Sequence, residues 1–330
     1  MVAQIDANYA KKSFGKTIKR LASYSLFEGR PHTTKGQWFN PIVFAILRSL
    51  SKLPGSPNVK EPIFITGLGR SGTTILGVLF SMHRDVGFLN EPKAIWSLIA
   101  PNSDINGDYI KSNGKFRLNE SDASHDKANL AHRIFHRYLA VIHSKRLVDK
   151  YPELIFRVGY LLKLFPDAHI IFITRNGADA CHSINLWSQR LGVSQNDEKE
   201  DWWGRNDIKW HYLREQVINN DSYYESIRDI CTDDLDHLNR AALEWIITML
   251  EGLNQLQRYP KQIIKIKYED LIAKSTEELT KLFKTCNLSI DQKAIDYAKE
   301  TLHETAKKPW PNLHPEIDKL FRETMNKLNY

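Results

Sequence analysis

The sequence predicts an α/β fold of three layers, in which a central parallel sheet carries helices on both faces. Short apolar segments typical of strands alternate with segments of helical periodicity along most of the chain. Strands separated by helices are joined by right-handed crossovers and lie parallel, with both faces of their sheet covered. A glycine-rich turn also follows the first strand, between Gly67 and Gly72, as in the phosphate-binding loops called P-loops.

Five segments have the apolar composition of buried strands: 63–66, 86–92, 146–150, 169–174 and 261–271. Other segments show the apolar spacing of helices: 73–83, 130–145, 153–165, 181–191 and 238–256. The polar stretch 101–128 is expected to form a long loop. Ligands bind at the carboxyl ends of the strands in such sheets, so a site is expected in the loops after residues 66, 90, 150 and 174.

The composition indicates a globular protein in a reducing compartment. Hydrophobic residues make up 42% and charged residues 26% of the 330 residues. The three cysteines, Cys181, Cys231 and Cys286, lack the spacing of a disulfide framework or a zinc site. The longest apolar run, 41–47, is shorter than the roughly 20 residues of a membrane span, and the first residues lack the apolar region of a signal peptide. A cytoplasmic location is therefore expected.

Positive charge is concentrated at the start of the chain. Residues 1–60 carry ten Lys or Arg and two Asp or Glu, whereas residues 61–330 are nearly neutral. Apolar residues at helical spacing over 42–53 and a Pro/Gly/Ser-rich hinge at 51–62 predict a basic N-terminal arm with a helix, followed by a single domain. The arm can pack on the domain, or it can be drawn to an anionic surface such as phospholipid. The neutral body argues against nucleic-acid binding.

The turn after the first strand has the glycine spacing of a phosphate-binding loop but lacks its lysine. Gly67 and Gly72 let backbone N–H groups approach an anion, and Thr73 and Thr74 add hydroxyl donors. A Walker loop needs lysine after its second glycine, where this chain has Thr73, and the cation stands earlier, at Arg70. Arginine can bind two phosphate oxygens at once. The loop therefore suits a 5′-phosphate end better than a metal-bound triphosphate, and a plain strand-to-helix turn is the alternative.

Two motifs resemble one enzyme family. The loop GLGRSGTT, 67–74, resembles the 5′-phosphosulfate loop of sulfotransferases that use 3′-phosphoadenosine-5′-phosphosulfate (PAPS), in the form with arginine found in many bacterial members. A second block, 149–183, resembles the family's lysine-x-proline, helix, FPDA, strand, arginine and serine order, with Lys150, Arg175 and Ser183 at the matching places. Asn176 and Gly177 replace the common Asp-Pro, which alters the turn but not the phosphate ligands.

The resemblance extends more weakly to the C-terminus, so it covers roughly 61–330 and leaves 1–60 and 187–235 unexplained. It implies PAPS as co-substrate, an acceptor that bears a hydroxyl, and no required metal. In the family, the matching arginine and serine hold the 3′-phosphate of the nucleotide. The remaining nucleotide contacts that it implies are Gly69, Arg70, Ser71, Gly72, Thr73 and Thr74, with Lys307, Lys308 and Trp310 closing over the nucleotide late in the chain.

Sulfuryl transfer needs a base for the acceptor proton and cations for the transferring group. The resemblance assigns the base to Glu91, and the charge compensation to Lys150 and Arg70. Glu91 could instead cap the helix that starts near Pro92, and His83 is a competing base because histidine is the commonest general base.

The acceptor side is expected in a tryptophan-rich segment, within a probable insertion over 186–235. Four of the eight tryptophans lie there: Trp187, Trp202, Trp203 and Trp210. Aromatic faces beside polar groups suit a sugar ring or an aromatic alcohol, although a helix-packing cluster would look the same. Carbohydrate, lipid and small alcohol acceptors all stay open. The alternatives to a sulfotransferase are a P-loop nucleotide kinase and a non-catalytic protein that binds nucleotides or polyanions.

Overall fold

The computed structural model describes residues 3–31, 34, 36–55, 57–110, 113–195, 198–304 and 306–330. These residues form eight strands: β1 Ile63–Gly67, β2 Val86–Asn90, β3 Arg146–Lys150, β4 His169–Thr174, β5 Val193–Gln195, β6 Glu198–Asp201, β7 Gly204–Arg205 and β8 Ile263–Lys267. Five of them make one parallel sheet in the order β2-β3-β1-β4-β8, and the other three make a small antiparallel sheet. The predicted α/β fold with a central parallel sheet is confirmed.

The helices of the described residues flank the large sheet. The α-helices are α1 Ala7–Lys12, α2 Phe14–Leu26, α3 Asn40–Lys52, α4 Thr73–Ser81, α5 Lys93–Ile99, α6 His125–Val141, α7 Val158–Leu164, α8 Gly177–Leu191, α9 Ile208–Leu213, α10 His237–Arg258, α11 Tyr268–Ala273, α12 Ser275–Thr285, α13 Gln292–Thr301 and α14 Pro315–Lys327. A π-helical turn follows α9 at Arg214–Ile218. The 3₁₀ turns are Gln37–Phe39, Pro101–Ser103, Glu120–Asp122, Pro152–Arg157 and Ser222–Ile230.

The helix predicted over 153–165 is broken into two pieces. Pro152 opens a 3₁₀ turn, and α7 begins only at Val158. Arg157 between them has φ −135°, outside helical geometry, and its buried guanidinium donates to the carbonyl of Ser103 at 2.8 Å. This tertiary hydrogen bond overrides the helical periodicity of the sequence.

Two hydrophobic cores lie on opposite faces of the large sheet. Phe64 of β1 and Phe172 of β4 belong to one core, whereas Ile65 and Ile171, one residue away on the same strands, belong to the other. Successive side chains of a strand point to opposite faces, so these continuous apolar strands serve both cores.

The register brings the ends of the strands to one edge of the sheet. Gly67 pairs with Ile173, Asn90 with Lys150, and Thr174 with Lys267. Every strand of this sheet runs in the same direction. The loops after β1, β2, β3 and β4 therefore meet at the end of the sheet where the strands have their carboxyl ends.

The basic N-terminal arm packs on the body. It contains α1, α2 and α3, and its Phe27, Val43 and Leu47 are buried in the same core as Phe64. Lys16 is buried and donates to the carbonyl of Val86 at 3.1 Å. Contact of the arm with an anionic membrane surface and a cytoplasmic location stay predictions. None of the described helices is both long enough and apolar enough to span a bilayer.

Candidate active site

The loop between β1 and α4 is built around two glycines in the left-handed half of backbone space. Gly67 has φ +140°, and a Cβ there would lie 2.5 Å from the carbonyl oxygen of Ile173. Gly72 has φ +89°, and a Cβ there would lie 2.2 Å from the ring of Tyr268. Both positions therefore require glycine on steric grounds. Arg70 has φ +71°, so the loop also turns sharply at its only cation.

This loop presents unpaired donors. Among the described residues, no protein partner accepts from the backbone N–H groups of Gly72, Thr73 and Thr74, which open α4. The hydroxyl oxygen of Ser71 is buried and has no hydrogen-bond partner within the same residues. The N-terminal end of a helix carries a partial positive charge, and free N–H groups there bind anions. The loop can therefore hold a phosphate or phosphosulfate group.

The loop and the second motif are in direct contact. The Nε of Arg70 donates to the hydroxyl of Ser183 at 3.1 Å, and Nη1 of Arg175 donates to the carbonyl of Arg70 at 2.8 Å. The guanidinium of Arg175 lies 4.7 Å from the ring centre of Tyr268. The Nε of Arg175 is buried and finds no partner among the described residues. Arg70 and Arg175, which are 105 positions apart in sequence, thus form one cationic surface. The unpaired Nε–H group of Arg175 can still donate to a ligand.

Glu91 and Lys150 form an ion pair where β2 and β3 end. The Nζ of Lys150 donates to Oε1 of Glu91, and the backbone N–H of Glu91 donates to the carbonyl of Lys150 at 2.7 Å. Lys150 is 1% exposed, whereas the side chain of Glu91 is 35% exposed. Partial burial would raise the pKa of Glu91, but the ammonium groups of Lys150, Lys93 and Lys209 outweigh it and lower the pKa. Glu91 is therefore ionised at neutral pH and accessible.

A cavity of about 560 Å³ is lined by Glu91 of this pair, and its volume is within the size range of ligand pockets. The phosphate loop forms its floor through Arg70, Thr73 and Thr74, and Glu91 stands in its wall. Its other walls come from parts of the chain remote in sequence. They include Tyr24, Glu28, Gly29, Pro31 and Thr34 of the arm, Asn106, Asp108, Pro152 and Glu153 of the body, and Trp187, Leu191, Glu200, Asp201, Trp202, Gly204 and Lys209 of the insertion. The described lining thus joins the predicted base, the loop and the insertion.

Two of the four predicted acceptor tryptophans line this cavity. Trp187 and Trp202 pack edge to face, with ring centres 5.4 Å apart. Trp202 covers the phosphate loop, since a Cβ on Gly69 would lie 2.5 Å from its ring. Its indole nitrogen donates to Glu244 at 2.5 Å, and the ammonium of Lys209 lies 4.6 Å from its ring centre.

The other two tryptophans correct the prediction. Trp203 and Trp210 have no exposed surface, and their rings pack against each other at 5.9 Å. Their indole nitrogens donate to His237 and to the carbonyl of Thr232. Buried rings with satisfied N–H groups cannot stack on an acceptor, so for these two the helix-packing alternative is right.

The late segment predicted to close over the nucleotide lies beside α8. The backbone N–H of Lys308 donates to Asp179 at 2.7 Å, and His182 bonds the carbonyl of Pro309. Lys307 and Lys308 are exposed, and Trp310 is 41% exposed. The segment therefore reaches the neighbourhood of Ser183, and its contact with nucleotide stays a prediction.

His83, the competing base, is fully buried. Its Nε2 lies 2.9 Å from the carbonyl of Ser289, and its Nδ1 accepts the backbone N–H of Asp85 at 3.1 Å. Both ring nitrogens are engaged at the far end of α4, so His83 is a structural residue.

Several site residues were missed from the sequence. Tyr268 directly follows β8, and the rule that ligands sit at carboxyl ends of strands could have identified it. Lys93 is buried in an ion pair with Asp108 at 2.8 Å, and Lys209 is buried with Glu244 at 2.6 Å. No sequence signal marks these pairs, because only the folded chain brings the loop residue Asp108 to Lys93 and Glu244 of α10 to Lys209. The described residues contain no group of three or more His, Cys, Asp or Glu placed to hold a metal ion.

Comparisons with known proteins show a similarity to one enzyme family. Residues 62–226, half of the chain, match the model of the sulfotransferase family. A protein-tyrosine sulfotransferase of Drosophila melanogaster is 30% identical over 126 residues, and protein-tyrosine sulfotransferase 1 of Homo sapiens is 29% identical over 126 residues. Each match covers 37% of this chain, and the chain spans only 24% and 33% of those two relatives.

Among solved structures, the sulfotransferase domain from the curacin biosynthetic pathway has a similar fold. It superposes with a TM-score of 0.50 at 14% identity, over 83% of this chain and 99% of that domain. At this identity the likeness concerns the fold only.

A buried carboxyl group stands next to the ion pair. Asp149 is fully buried, and the indole nitrogen of Trp96 donates to its Oδ2 at 2.8 Å. Burial raises the pKa of Asp149 to about 8, with Glu28 and Glu91 adding to the rise and the bond from Trp96 opposing it. A neutral Asp149 does not compete with Glu91 for the ammonium of Lys150.

The raised pKa of Asp149 predicts a stability that falls with pH. The unfolded carboxyl has a pKa of about 4, so the contribution is complete below that value and is lost as pH rises toward 8. Asp149→Asn removes this titration. Between pH 5 and pH 8, its free energy of unfolding should fall less than that of the wild type, by about 1–3 kcal/mol.

Urea unfolding at the two pH values measures this difference. Asp234→Asn, at an exposed position, is the control and should leave the pH dependence unchanged. Parallel pH curves for wild type and Asp149→Asn would show that Asp149 is ionised in the folded protein.

Proposed function

Because the chain belongs to the sulfotransferase family, we propose that it transfers a sulfuryl group from PAPS to the hydroxyl of an acceptor molecule. The observation that carries this proposal is that three features lie together where the strands of the sheet end, and that one cavity is lined by both Arg70 and Glu91. The three features are a lysine-free anion loop, the contact of Arg70 with Ser183, and the ion pair of Glu91 with Lys150. The first two suit the two phosphates of the nucleotide, and the third supplies a base and a cation.

The nucleotide is proposed to lie across the loop and the second motif. The free N–H groups of Gly72, Thr73 and Thr74 and the side chains of Ser71 and Arg70 would bind the 5′-phosphosulfate, with Gly69 allowing close approach. Arg175 and Ser183 would bind the 3′-phosphate, and Arg175 has an unpaired buried Nε for it. Lys307, Lys308 and Trp310 remain proposed contacts at the rim.

Transfer moves the SO3 group between two oxygens in line. The carboxylate of Glu91 takes the proton of the acceptor hydroxyl while the acceptor oxygen bonds to sulfur. The bond between sulfur and the 5′-phosphate oxygen breaks, and adenosine 3′,5′-bisphosphate leaves with that electron pair. Once Glu91 is neutral, the ammonium of Lys150 loses its counterion and can stabilise the negative charge that develops on the bridging oxygen. Arg70 compensates charge from the loop side.

The kinase alternative is not favoured. The place after Gly72 is Thr73, which is buried and cannot reach terminal phosphates as a Walker lysine does. A protein that only binds nucleotide is the remaining alternative, and it predicts that no sulfate moves.

The acceptor side of the cavity favours a molecule with several O–H or N–H donors. Three buried oxygens of lining residues have no donor among the described residues: Asn90 Oδ1, Asn106 Oδ1 and Glu153 Oε2. Their side chains line the cavity, so they offer amide and carboxylate groups to a ligand that supplies donors. Together with the rings of Trp187 and Trp202, this arrangement favours a carbohydrate over a long-chain alcohol or a simple phenol.

The function is tested with radiolabelled PAPS and three acceptors: a neutral hexoside, a long-chain alcohol and 2-naphthol. Labelled product is expected with at least one acceptor, and fastest with the hexoside. If the protein binds adenosine 3′,5′-bisphosphate but labels none of a wider set of alcohols, the non-catalytic alternative is favoured. A preferred phenol would leave the reaction standing and remove the carbohydrate assignment.

Arg175→Ala should weaken binding of adenosine 3′,5′-bisphosphate about 10- to 100-fold, because it removes a charge-assisted bond to the 3′-phosphate. Affinity for 5′-AMP should change much less. Isothermal calorimetry measures both. Arg258→Ala is the control. Arg258 is the last residue of α10, just before the amino end of β8, and it pairs with Glu120. Equal losses for both nucleotides would assign Arg175 to loop structure through its bond to Arg70.

Glu91→Gln should lower kcat about 10²- to 10⁴-fold, because the amide cannot take the acceptor proton. Binding of adenosine 3′,5′-bisphosphate should be retained. Steady-state turnover of the best acceptor measures kcat, and the exposed Glu225→Gln is the control. A variant that keeps wild-type kcat would require a different base.

A further inference from the structure

The N-terminal arm takes the place of a neighbouring strand along β2. Within the part of the chain that the structure describes, this strand is an edge of the large sheet and pairs with β3 alone. On its open side, Lys16 donates to the carbonyl of Val86 at 3.1 Å, and the backbone N–H of Asn90 donates to Oε1 of Glu28 at 2.7 Å. Between them, Arg20 and Tyr138 reach the carbonyl of Phe88. Polar side chains thus satisfy an edge that would otherwise stay unpaired.

The central contact of the arm is a buried ion pair. The guanidinium of Arg20 bonds both carboxylate oxygens of Glu28, at 2.5 and 2.8 Å, and the two side chains are 2% and 3% exposed. Arg20 also donates to the carbonyl of Ala3 at 3.0 Å. A two-pronged pair in this geometry fixes the direction of both groups. Glu28 is therefore held rigidly while one of its oxygens accepts from the body.

Glu28 accepts hydrogen bonds from the backbone on both sides of Glu91. Its carboxylate accepts the N–H of Asn90, and its own carbonyl accepts the N–H of Ala94 at 3.3 Å. The next residue, Gly29, lies so close that a Cβ there would be 2.8 Å from the Cβ of Ala94. Glu91 itself has φ +51°, a conformation that non-glycine residues adopt only when their surroundings impose it.

From these contacts we infer that Glu28 and Arg20 are positioning residues for catalysis: the arm holds Glu91 in its left-handed conformation and aims its carboxylate at Lys150 and the cavity. This inference rests on the proposed function, in which Glu91 is the base. It extends the active unit to residues 1–60, outside the part that matches the family model. Misplacing a reacting group by about 1 Å can cost on the order of 100-fold in rate, so the effect should appear in kcat.

The test replaces the pair without leaving a buried charge. In Arg20→Met/Glu28→Leu, apolar side chains of similar size fill the space, a change that buried ion pairs often tolerate. We expect kcat to fall about 10- to 100-fold, with affinity for adenosine 3′,5′-bisphosphate within about twofold of wild type. Hydrogen exchange at residues 90–94 should speed up, while exchange in β1 and β4 stays unchanged.

Two further variants separate positioning from general stability. Lys16→Met removes a buried arm cation from the other end of β2 and should keep kcat within about twofold. Glu28→Gln keeps an oxygen for the N–H of Asn90 and should retain more kcat than the double variant, which also tests the inference if the double variant does not fold.

The outcomes are distinct. A wild-type protein that binds the bisphosphate but transfers no sulfate overturns the proposed function. An active wild type with unchanged kcat in the double variant, or with equal losses in the double variant and Lys16→Met, overturns the positioning role. A parallel loss of kcat and nucleotide affinity also overturns it, because it shows general disruption of the site.

Discussion

The common direction and register of the five central strands is the constraint on which the site depends. Asn90 pairs with Lys150, and Gly67 lies level with Ile173, so the residues that follow these strands meet at one edge. A shift of register would separate Glu91 from Lys150 and the phosphate loop from Arg175. The register is enforced by side chains that alternate between two buried cores, since a slip of one residue would exchange their faces.

Charge is distributed unevenly along that edge, and the unevenness suits the proposed reaction. Arg175 donates to the backbone carbonyl of Arg70, Arg70 donates to Ser183, and the buried Nε of Arg175 is left for an anion. Next to them, Lys150 is already paired with Glu91, while Asp149 beside it is kept neutral by burial. A single exposed carboxylate therefore faces the cavity from this pair. In the proposed reaction, protonation of this carboxylate would leave the buried ammonium of Lys150 without its counterion.

The walls of the cavity come from segments that differ in how they are held. The arm is fixed by a buried ion pair and by side chains along an open strand edge. In the insertion, Trp202 is held in place, because its ring lies on Gly69 and its nitrogen bonds Glu244. The arm and the insertion therefore both contact backbone near the carboxyl ends of the strands, at Asn90 and Gly69. In the proposed function, acceptor choice and the position of the base would thus be set by parts of the chain outside the proposed nucleotide contacts.

The sequence by itself determined the layered α/β fold, the positions of its main strands along the chain and the residues of the phosphate loop. Apolar periodicity and glycine spacing are local signals, so the neighbouring residues are enough to show them. It also indicated Glu91, Lys150, Arg175 and Ser183 through a resemblance to a family, and the fold brings these residues to one edge. Local signals could not tell buried Trp203 and Trp210 from Trp187 and Trp202, because the same composition serves a core and a binding surface.

Only the tertiary structure decided how the arm packs and where the break before Val158 falls. The basic residues of the arm suggested an anionic surface as much as a packed segment, yet Lys16 and Arg20 are buried against carbonyl oxygens of β2. The contact of Glu28 with Asn90 joins residues 62 positions apart, and that of Arg175 with Arg70 spans 105. Such pairs depend on which surfaces meet after folding, and nothing in the neighbouring sequence specifies a partner at that distance.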